Sequence, residues 1–441
     1  MKKPIVPCRS VYVALVVCAP AMMCAQAVPA AHARVAYKAA RLLDPVTGNT
    51  IANAVILVDH DTVVQVGSGL AVPRDVPVTD LGNVTLLPGL IDVHSHVTTT
   101  PTTYYEGIFR RSPMDDAVRA PTNAKRTLEA GFTTLRDVGA GEYLDVALRN
   151  AINAGDIAGP RMLVATMALS ATGGHGDLNG FSPYIRFGGL GGTVDGVAEI
   201  RKRIRLNVKY GADLIKIAAG AGVLSEEESV GAPQFTQEEM NAAVDEAKMW
   251  GRKVAAHAHG GEAIKRAIRA GVASVEHAGL IDEEGVRLAR EHGTFLVPDV
   301  YTDVYIIAEG PAMGLPEKII NKERELRKSQ AANWGRARTA GVKFAFGTDA
   351  GVFPHGENAK QFRYLVEVGF TPLETIQMAT VNAAELIGWS GKVGRLVPGA
   401  YADFIGVKGD PLKDVRTLEN PVTVVKGGAI VKGAPPATPK T

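Results

Sequence analysis

The middle of the chain alternates short apolar runs with amphipathic runs, and this repeat constrains the fold more than any other feature. Apolar runs rich in Val and Ile are typical of buried parallel strands, and each amphipathic run between them predicts a helix that covers the sheet. Eight strands alternating with helices are what a (β/α)8 barrel requires. The predicted strands begin near Leu87, Phe132, Arg161, Asp213, Lys253, Ser274, Thr294 and Lys343.

Both ends of the chain read differently, as short β-branched runs separated by polar turns. We therefore predict an α/β protein, with a (β/α)8 barrel over residues 88–391. Residues 34–87 and 392–432 are predicted to join in one small β-sandwich domain. Residues 433–441, rich in Pro, Ala and Thr, are predicted to be a flexible tail.

Residues 1–33 have the layout of a secretory signal peptide. Lys2, Lys3 and Arg9 precede an apolar run, and small residues around Ala27 and Ala33 offer cleavage sites. The alternative is a membrane anchor, but the apolar run is short for a bilayer. We expect a periplasmic or secreted protein without a membrane association after cleavage. Cleavage also removes all three cysteines, which excludes disulfides and thiol catalysis.

The charge balance points to a small substrate. The net charge is +2, and loss of residues 1–33, which contain three basic residues and no acid, changes it to −1. No basic tract remains that would predict binding to nucleic acid or to an anionic membrane. A small molecule or a short peptide is the expected partner.

Two pairs of histidines stand at predicted strand ends. His94 and His96 share one strand face, so both aim into the same barrel mouth, and two neutral imidazoles suit a metal such as zinc. His257 and His277 end neighbouring strands and can reach a second metal. His259 shares the face of His257 and is interpreted as a substrate contact. The alternative for each pair is polar residues on loops at the barrel end.

Two further residues complete the candidate centre. Lys216 shares a strand face with Leu214 and Ala218, so its side chain points into the barrel, where a bare ammonium is costly. It either extends to the rim or becomes a carbamate by reaction with carbon dioxide. Asp349 ends the eighth strand, where a carboxylate can bind metal and accept a proton, or can cap the next helix.

Taken together, these residues resemble the binuclear amidohydrolase superfamily. The resemblance rests on the segments 87–96 and 347–351 and extends over the whole mature chain. It implies a pair of divalent metal ions, zinc by expectation, bridged by carboxylated Lys216. His94, His96 and Asp349 would hold one ion, and His257 and His277 the other. Asp349 and Lys216 would be the catalytic residues. The resemblance also implies a homo-oligomer, which could be an octamer.

Segments 216–225, 233–236 and 257–260 resemble the prolidase-like branch of that superfamily, as does the loop 171–176. This branch includes dipeptidases, carboxypeptidases and enzymes that hydrolyse the phenylalanine amide of ochratoxin A. The chain resembles most the bacterial ochratoxin-degrading amidohydrolases. His175 follows a Gly-Gly pair that lets backbone approach a ligand, so it is a candidate substrate contact, with a plain loop residue as the alternative.

Three other functions stay open on the sequence alone. The chain could be a prolidase-like dipeptidase or carboxypeptidase without activity on ochratoxin A. It could open a cyclic amide or a lactone instead. It could also be a binding protein on the same scaffold, although such a protein has no need of six metal ligands.

Overall fold

The structure is a computed structural model that describes residues 34–101, 107, 110–184, 192–225 and 229–433. The predicted signal peptide and residues 434–441 of the predicted tail lie outside this part. Within it, no helix has the length and apolar character needed to cross a bilayer.

The strands of the described residues run, in chain order, as β1 (Arg34–Leu43), β2 (Thr50–Asp59), β3 (Thr62–Ser68), β4 (Val78–Asp80), β5 (Thr85–Pro88), β6 (Leu90–Ser95), β7 (Phe132–Asp137), β8 (Arg161–Val164), β9 (Leu214–Ala218), β10 (Lys253–Ala258), β11 (Ser274–His277), β12 (Phe295–Val297), β13 (Phe404–Val407), β14 (Thr423–Lys426) and β15 (Ala429–Lys432).

The helices of the same residues are α1 (Pro113–Glu129), α2 (Leu144–Ala154), α3 (Gly196–Lys209), α4 (Gln237–Met249), α5 (Gly261–Ala270), α6 (Glu283–His292), α7 (Val300–Glu309), α8 (Glu317–Thr339), α9 (Gln361–Glu367), α10 (Pro372–Gln377) and α11 (Ala383–Ile387). A π-helical turn over Met378–Asn382 joins the last two.

The two ends of the described chain form one eight-stranded sheet, in the order β15-β14-β13-β5-β1-β2-β3, with β4 also paired to β1. The junction between the ends is the antiparallel pair β13–β5, in which Phe404 stands opposite Pro88. One face of the sheet buries Tyr37, Ile56 and Phe404 in a core of its own.

The central strands form two parallel sheets, with the orders β6-β7-β8 and β12-β11-β10-β9. Backbone hydrogen bonds link these sheets at one junction, from Asp213 N to Val164 O and from Ala218 N to Leu169 O. At the other junction, residues 343–350 run between β12 and β6. Helices cover the outside, as at α5, which buries Ala263, Ile264, Ala267 and Ile268 on one side.

The eighth predicted strand, beginning near Lys343, is an extended segment rather than a regular strand. Its backbone divides its hydrogen bonds between two neighbours, because Ala345 N bonds Leu296 O while Val93 N bonds Phe346 O. Isolated bridges at Phe344 and Ala350 mark its two ends. It therefore occupies the eighth position without a continuous ladder to either side.

Candidate metal centre

All eight residues predicted to bind metal or substrate line one cavity of about 320 Å³ at the carboxyl ends of the central strands. They come from β6, β9, β10, β11, the extended segment 343–350 and the loops after β6, β8 and β10. The apolar part of the wall is Val138, Val223, Leu224, Ile306 and Val352, among others. The residues are His94, His96, His175, Lys216, His257, His259, His277 and Asp349.

His94, His96 and Asp349 form the first donor group, with one ligand atom from each within 4.8 Å of the others. Asp349 Oδ1 lies 3.4 Å from His94 Nε2 and 3.3 Å from His96 Nε2. The other ring nitrogen of His96, Nδ1, contacts Gly139 O at 2.8 Å, which directs Nε2 towards the cavity.

His257, His259 and His277 form a second group with the same spacing. The ring centroids of His257 and His259 lie 4.4 Å and 4.5 Å from that of His277. His257 Nε2 and His259 Nδ1 are buried and have no hydrogen-bond partner among the described residues. A buried imidazole nitrogen needs a partner, and a metal ion would provide one here. The structure thus places His259, predicted to contact substrate, beside two predicted ligands.

Lys216 lines the same cavity as the two groups. Its side chain is buried, and its amine has no hydrogen bond or ion pair in the described part of the chain. Its charge acts on residues of both groups, namely His94, His96, His257, His277 and Asp349. Burial lowers the pKa of Lys216. A neutral amine is the form that adds carbon dioxide, so this environment fits a carbamate.

Burial also keeps most of the imidazoles neutral. The pKa values of His94, His257 and His259 lie well below the usual range, first because the rings are desolvated and then because neighbouring cations repel a proton. Burial would lower the pKa of His277 too, but Asp299 and Asp349 together outweigh burial and the net shift is upward. Neutral imidazoles with a carboxylate are donors that suit zinc and similar divalent ions, so the residues present fit the predicted group.

The backbone turns left-handed at two of these residues, with φ of 69° at His277 and 57° at Asp349. Regular alternation along β11 would send Glu276 and His277 to opposite faces. The change of φ ends the alternation, and both side chains reach the barrel interior. Non-glycine residues pay for this conformation, and strained backbone of this kind concentrates at functional sites.

Three charged residues that support the site were missed by the sequence analysis. Glu276 Oε2 lies 3.3 Å from His94 Nδ1, and Asp299 Oδ2 lies 2.8 Å from His277 Nδ1. Arg136 donates to Glu276 Oε1 at 2.9 Å. The sequence did contain a signal for each of them. Arg136 and Glu276 are charged residues within apolar strands, and Asp299 is a carboxylate just after β12.

His175 reaches the cavity from the loop after β8. Its ring stacks on that of His257, with centroids 4.0 Å apart, and its Nδ1 lies 3.0 Å from Ser225 Oγ. Its backbone N donates to Gln234 Oε1 at 2.8 Å. Burial lowers its pKa to about 3. The loop therefore holds a neutral imidazole against the second donor group.

The comparisons with known proteins agree with this geometry. Residues 85–431 match the model of the amidohydrolase family. Ochratoxinase from Aspergillus niger is 33% identical over 434 residues, which cover 91% of this chain and 88% of the relative.

Solved structures give the same picture. A Xaa-Pro dipeptidase with bound methionine in its active site is 36% identical, with a TM-score of 0.86, and the match covers 91% of this chain and all of that one. The structure of the A. niger ochratoxinase is 32% identical, with a TM-score of 0.78 over 91% and 96% of the two chains. The predicted superfamily and the fold class, a barrel with a sheet domain, are confirmed. The chain is therefore a hydrolase of the amidohydrolase family.

Proposed function

We propose that the protein hydrolyses the amide or peptide bond to a C-terminal amino acid. The observation that carries the proposal is the convergence of His94, His96, Lys216, His257, His277 and Asp349 in one cavity. A relative named as an ochratoxinase and one named as a Xaa-Pro dipeptidase support this substrate class. Ochratoxin A, an amide of phenylalanine, is the specific candidate substrate.

The metals are proposed to be two zinc ions. His94, His96 and Asp349 would hold one, His257 and His277 the other, and carboxylated Lys216 would lie between them. When bound, such ions supply Lewis acidity at the scissile carbonyl and lower the pKa of water. Buried Glu276 and Asp299 would keep His94 and His277 in position through their Nδ1 atoms.

Asp349 is the proposed proton carrier. Burial alone would raise its pKa, but the hydrogen bond and positive charge of His96 outweigh burial, and the net shift is downward. The carboxylate is therefore ionised and able to accept the proton from the attacking water at Oδ1 or Oδ2. It then delivers that proton to the leaving nitrogen, as a general base that becomes a general acid.

His175 and His259 are proposed to contact the substrate. Both rings are neutral and adjacent to that of His257, and His259 is buried while His175 is half-buried. A neutral imidazole can donate one hydrogen bond to a carbonyl or a carboxylate. Val223, Leu224, Ile306 and Val352 offer an apolar wall for the acyl part of the substrate.

The test is a hydrolysis screen with the zinc- or cobalt-loaded protein. The substrates are N-acyl amino acids, dipeptides including Xaa-Pro, ochratoxin A, and small lactams and lactones. Release of a C-terminal amino acid is expected, and phenylalanine from ochratoxin A in particular. Chelation should remove activity and added zinc should restore it. Activity on lactams or lactones alone would overturn the proposal, and dipeptide hydrolysis without ochratoxin hydrolysis would narrow it to a peptidase.

We further propose export and assembly as a homo-oligomer. The basic start, the apolar run and the small residues before residue 34 support export to the periplasm or the medium. Expression of the full chain in a Gram-negative host, followed by N-terminal sequencing of the periplasmic fraction, tests cleavage near residue 27 or 33. Light scattering of the purified protein tests the oligomer.

A further inference from the structure

Two acidic side chains in the cavity wall have no part in the proposed chemistry. Asp303 lies on α7 and Glu323 on α8, and both line the same cavity as His277 and Asp349. Their exposures are 4% and 1%. Buried acids of this kind require a compensating partner.

The described residues provide hydrogen bonds for only part of this pair of carboxyl groups. Gln330 Nε2 donates a hydrogen bond to Asp303 Oδ2, and the carboxyl group of Glu323 hydrogen-bonds that of Asp303. Glu323 Oε1 is buried and has no hydrogen-bond partner among the described residues. Two carboxyl groups in contact need either a shared proton or a cation beside them.

The neighbouring basic residues do not form an ion pair with Asp303 or Glu323 in the described part of the chain. Arg327 is partly buried and its charge acts on both carboxyl groups, but it forms no ion pair with either in the described part of the chain. Lys322, next to Glu323, directs its amine to the backbone oxygens of Gly222 and Ser225. Burial raises the pKa of Glu323 to about 7, so a proton can neutralise the pair when no cation is bound beside it.

The pair is within reach of a substrate side chain. Asp299, which precedes α7, contacts His277 in the metal centre at 2.8 Å. Asp303 follows four residues later, about 6 Å further along the helix, which is the length of an extended lysine side chain. Ile306 and Val352 line the same wall and can cover the methylene groups of such a chain.

We propose that Asp303 and Glu323 bind a cationic group of the substrate, an ammonium or a guanidinium, and that the enzyme therefore prefers amides that carry a basic side chain. This inference rests on the proposed function, because it names the substrate class of the same cavity. A basic group would displace the shared proton and donate to Glu323 Oε1. Charge-assisted hydrogen bonds of this kind favour the charged ligand by about tenfold or more.

The test uses matched lysine and norleucine compounds, which differ only in the terminal ammonium. The zinc-loaded enzyme is given N-acetyl-lysine against N-acetyl-norleucine, and acetyl-lysyl-phenylalanine against acetyl-norleucyl-phenylalanine. These pairs place the cation on either side of the scissile bond. We expect kcat/KM to favour lysine by at least about tenfold in one pair. Glu323→Gln and Asp303→Asn should bring that ratio close to one, whereas Glu325→Gln, exposed on the same helix, should preserve it.

A ratio near one in both pairs, or a preference unchanged in both variants, would overturn the inference. Binding is measured separately, as the shift in Tm that L-lysine, L-norleucine and their N-acetyl forms produce, so that the two proposals fail in different ways. If no compound is hydrolysed but lysine compounds alone stabilise the protein, the proposed reaction is wrong and the cation site stands. Equal stabilisation by both series rejects the site.

Discussion

Glu276 and His94 meet inside the barrel, where the carboxylate Oε2 lies 3.3 Å from the imidazole Nδ1. The other carboxylate oxygen accepts hydrogen bonds from Arg136 and Ser274. Arg136 also donates to the backbone oxygen of Val93, next to His94. This network joins β6, β7 and β11, so residues of three strands hold His94 in place.

We predict that Glu276→Gln weakens both metal binding and the fold. Loss of the charge leaves the buried guanidinium of Arg136 without a negative partner, which costs on the order of 3 kcal/mol in the free energy of unfolding. Loss of the contact with His94 should lower zinc affinity by about tenfold or more. Urea unfolding of the metal-free protein and competitive zinc titration measure the two effects. Unchanged zinc affinity in Glu276→Gln would show that the contact does not orient His94.

Lys216→Ala should abolish activity and remove at least one metal equivalent. A bridging carbamate binds both ions, so its loss affects both sites together. Metal content by mass spectrometry, with Lys328→Ala as an exposed control, measures this. Two retained equivalents with full activity would reject the carbamate.

His259→Asn distinguishes a substrate contact from a metal ligand. We expect two zinc equivalents to remain and KM to rise about tenfold, the effect of one lost hydrogen bond in a buried site. Its position within 4.8 Å of donor atoms of His257 and His277 makes the metal count the decisive measurement. A loss of one equivalent would assign His259 as a third ligand of that group.

Gly222→Ala should displace His175. A Cβ at residue 222 would lie 2.2 Å from His175 Cε1, so the ring would have to move, and that movement would disturb its stacking on His257. We expect kcat/KM to fall by tenfold or more while two metal equivalents remain. The matched control is Gly335→Ala, which meets no atom within 4 Å and lies in α8. It should raise stability by about 0.5–1 kcal/mol and leave activity unchanged.

Glu246 should stabilise the fold in a pH-dependent way. Its hydrogen bonds with Arg205, the largest cause, and with Trp250 lower its pKa from 4.5 to about 2. Because the folded pKa is below the unfolded one, the stabilisation is complete above pH 4.5 and is lost as the pH falls towards 2. The difference in unfolding free energy between wild type and Glu246→Gln, measured without metal, should shrink over this interval. A difference independent of pH would contradict the assignment.

Much of the centre was predictable because polar residues stand out in apolar strands. Lys216 interrupts a run of Leu, Ile and Ala, and Asp349 follows a run of Phe and Ala. Strand periodicity then assigns each to a face. The first and second histidine groups follow from the same alternation, since the carboxyl ends of parallel strands meet at one side of a barrel.

The remaining residues depend on contacts that local pattern does not encode. Glu276 and His277 are neighbours that share the interior only because the backbone at His277 is left-handed. Glu323 lies in a helix rich in Glu, Lys and Arg, which is typical of a solvated surface, yet its side chain is buried against the cavity. Packing between α7 and α8, rather than propensity, decides its environment.

The sheet formed by β1–β5 and β13–β15 also constrains the order in which the chain can fold. Thr85 donates a hydrogen bond to the backbone of Gly409, 324 residues later, beside the pairing of β5 with β13. During synthesis, β1 to β5 are made first, and the edge of β5 that pairs with β13 stays unpaired until almost the entire chain has been made. Open edges of this kind invite association with other strands. Deletion of the last three strands should therefore turn the amino-terminal segment into a nucleus for aggregation, even though the metal ligands precede the cut.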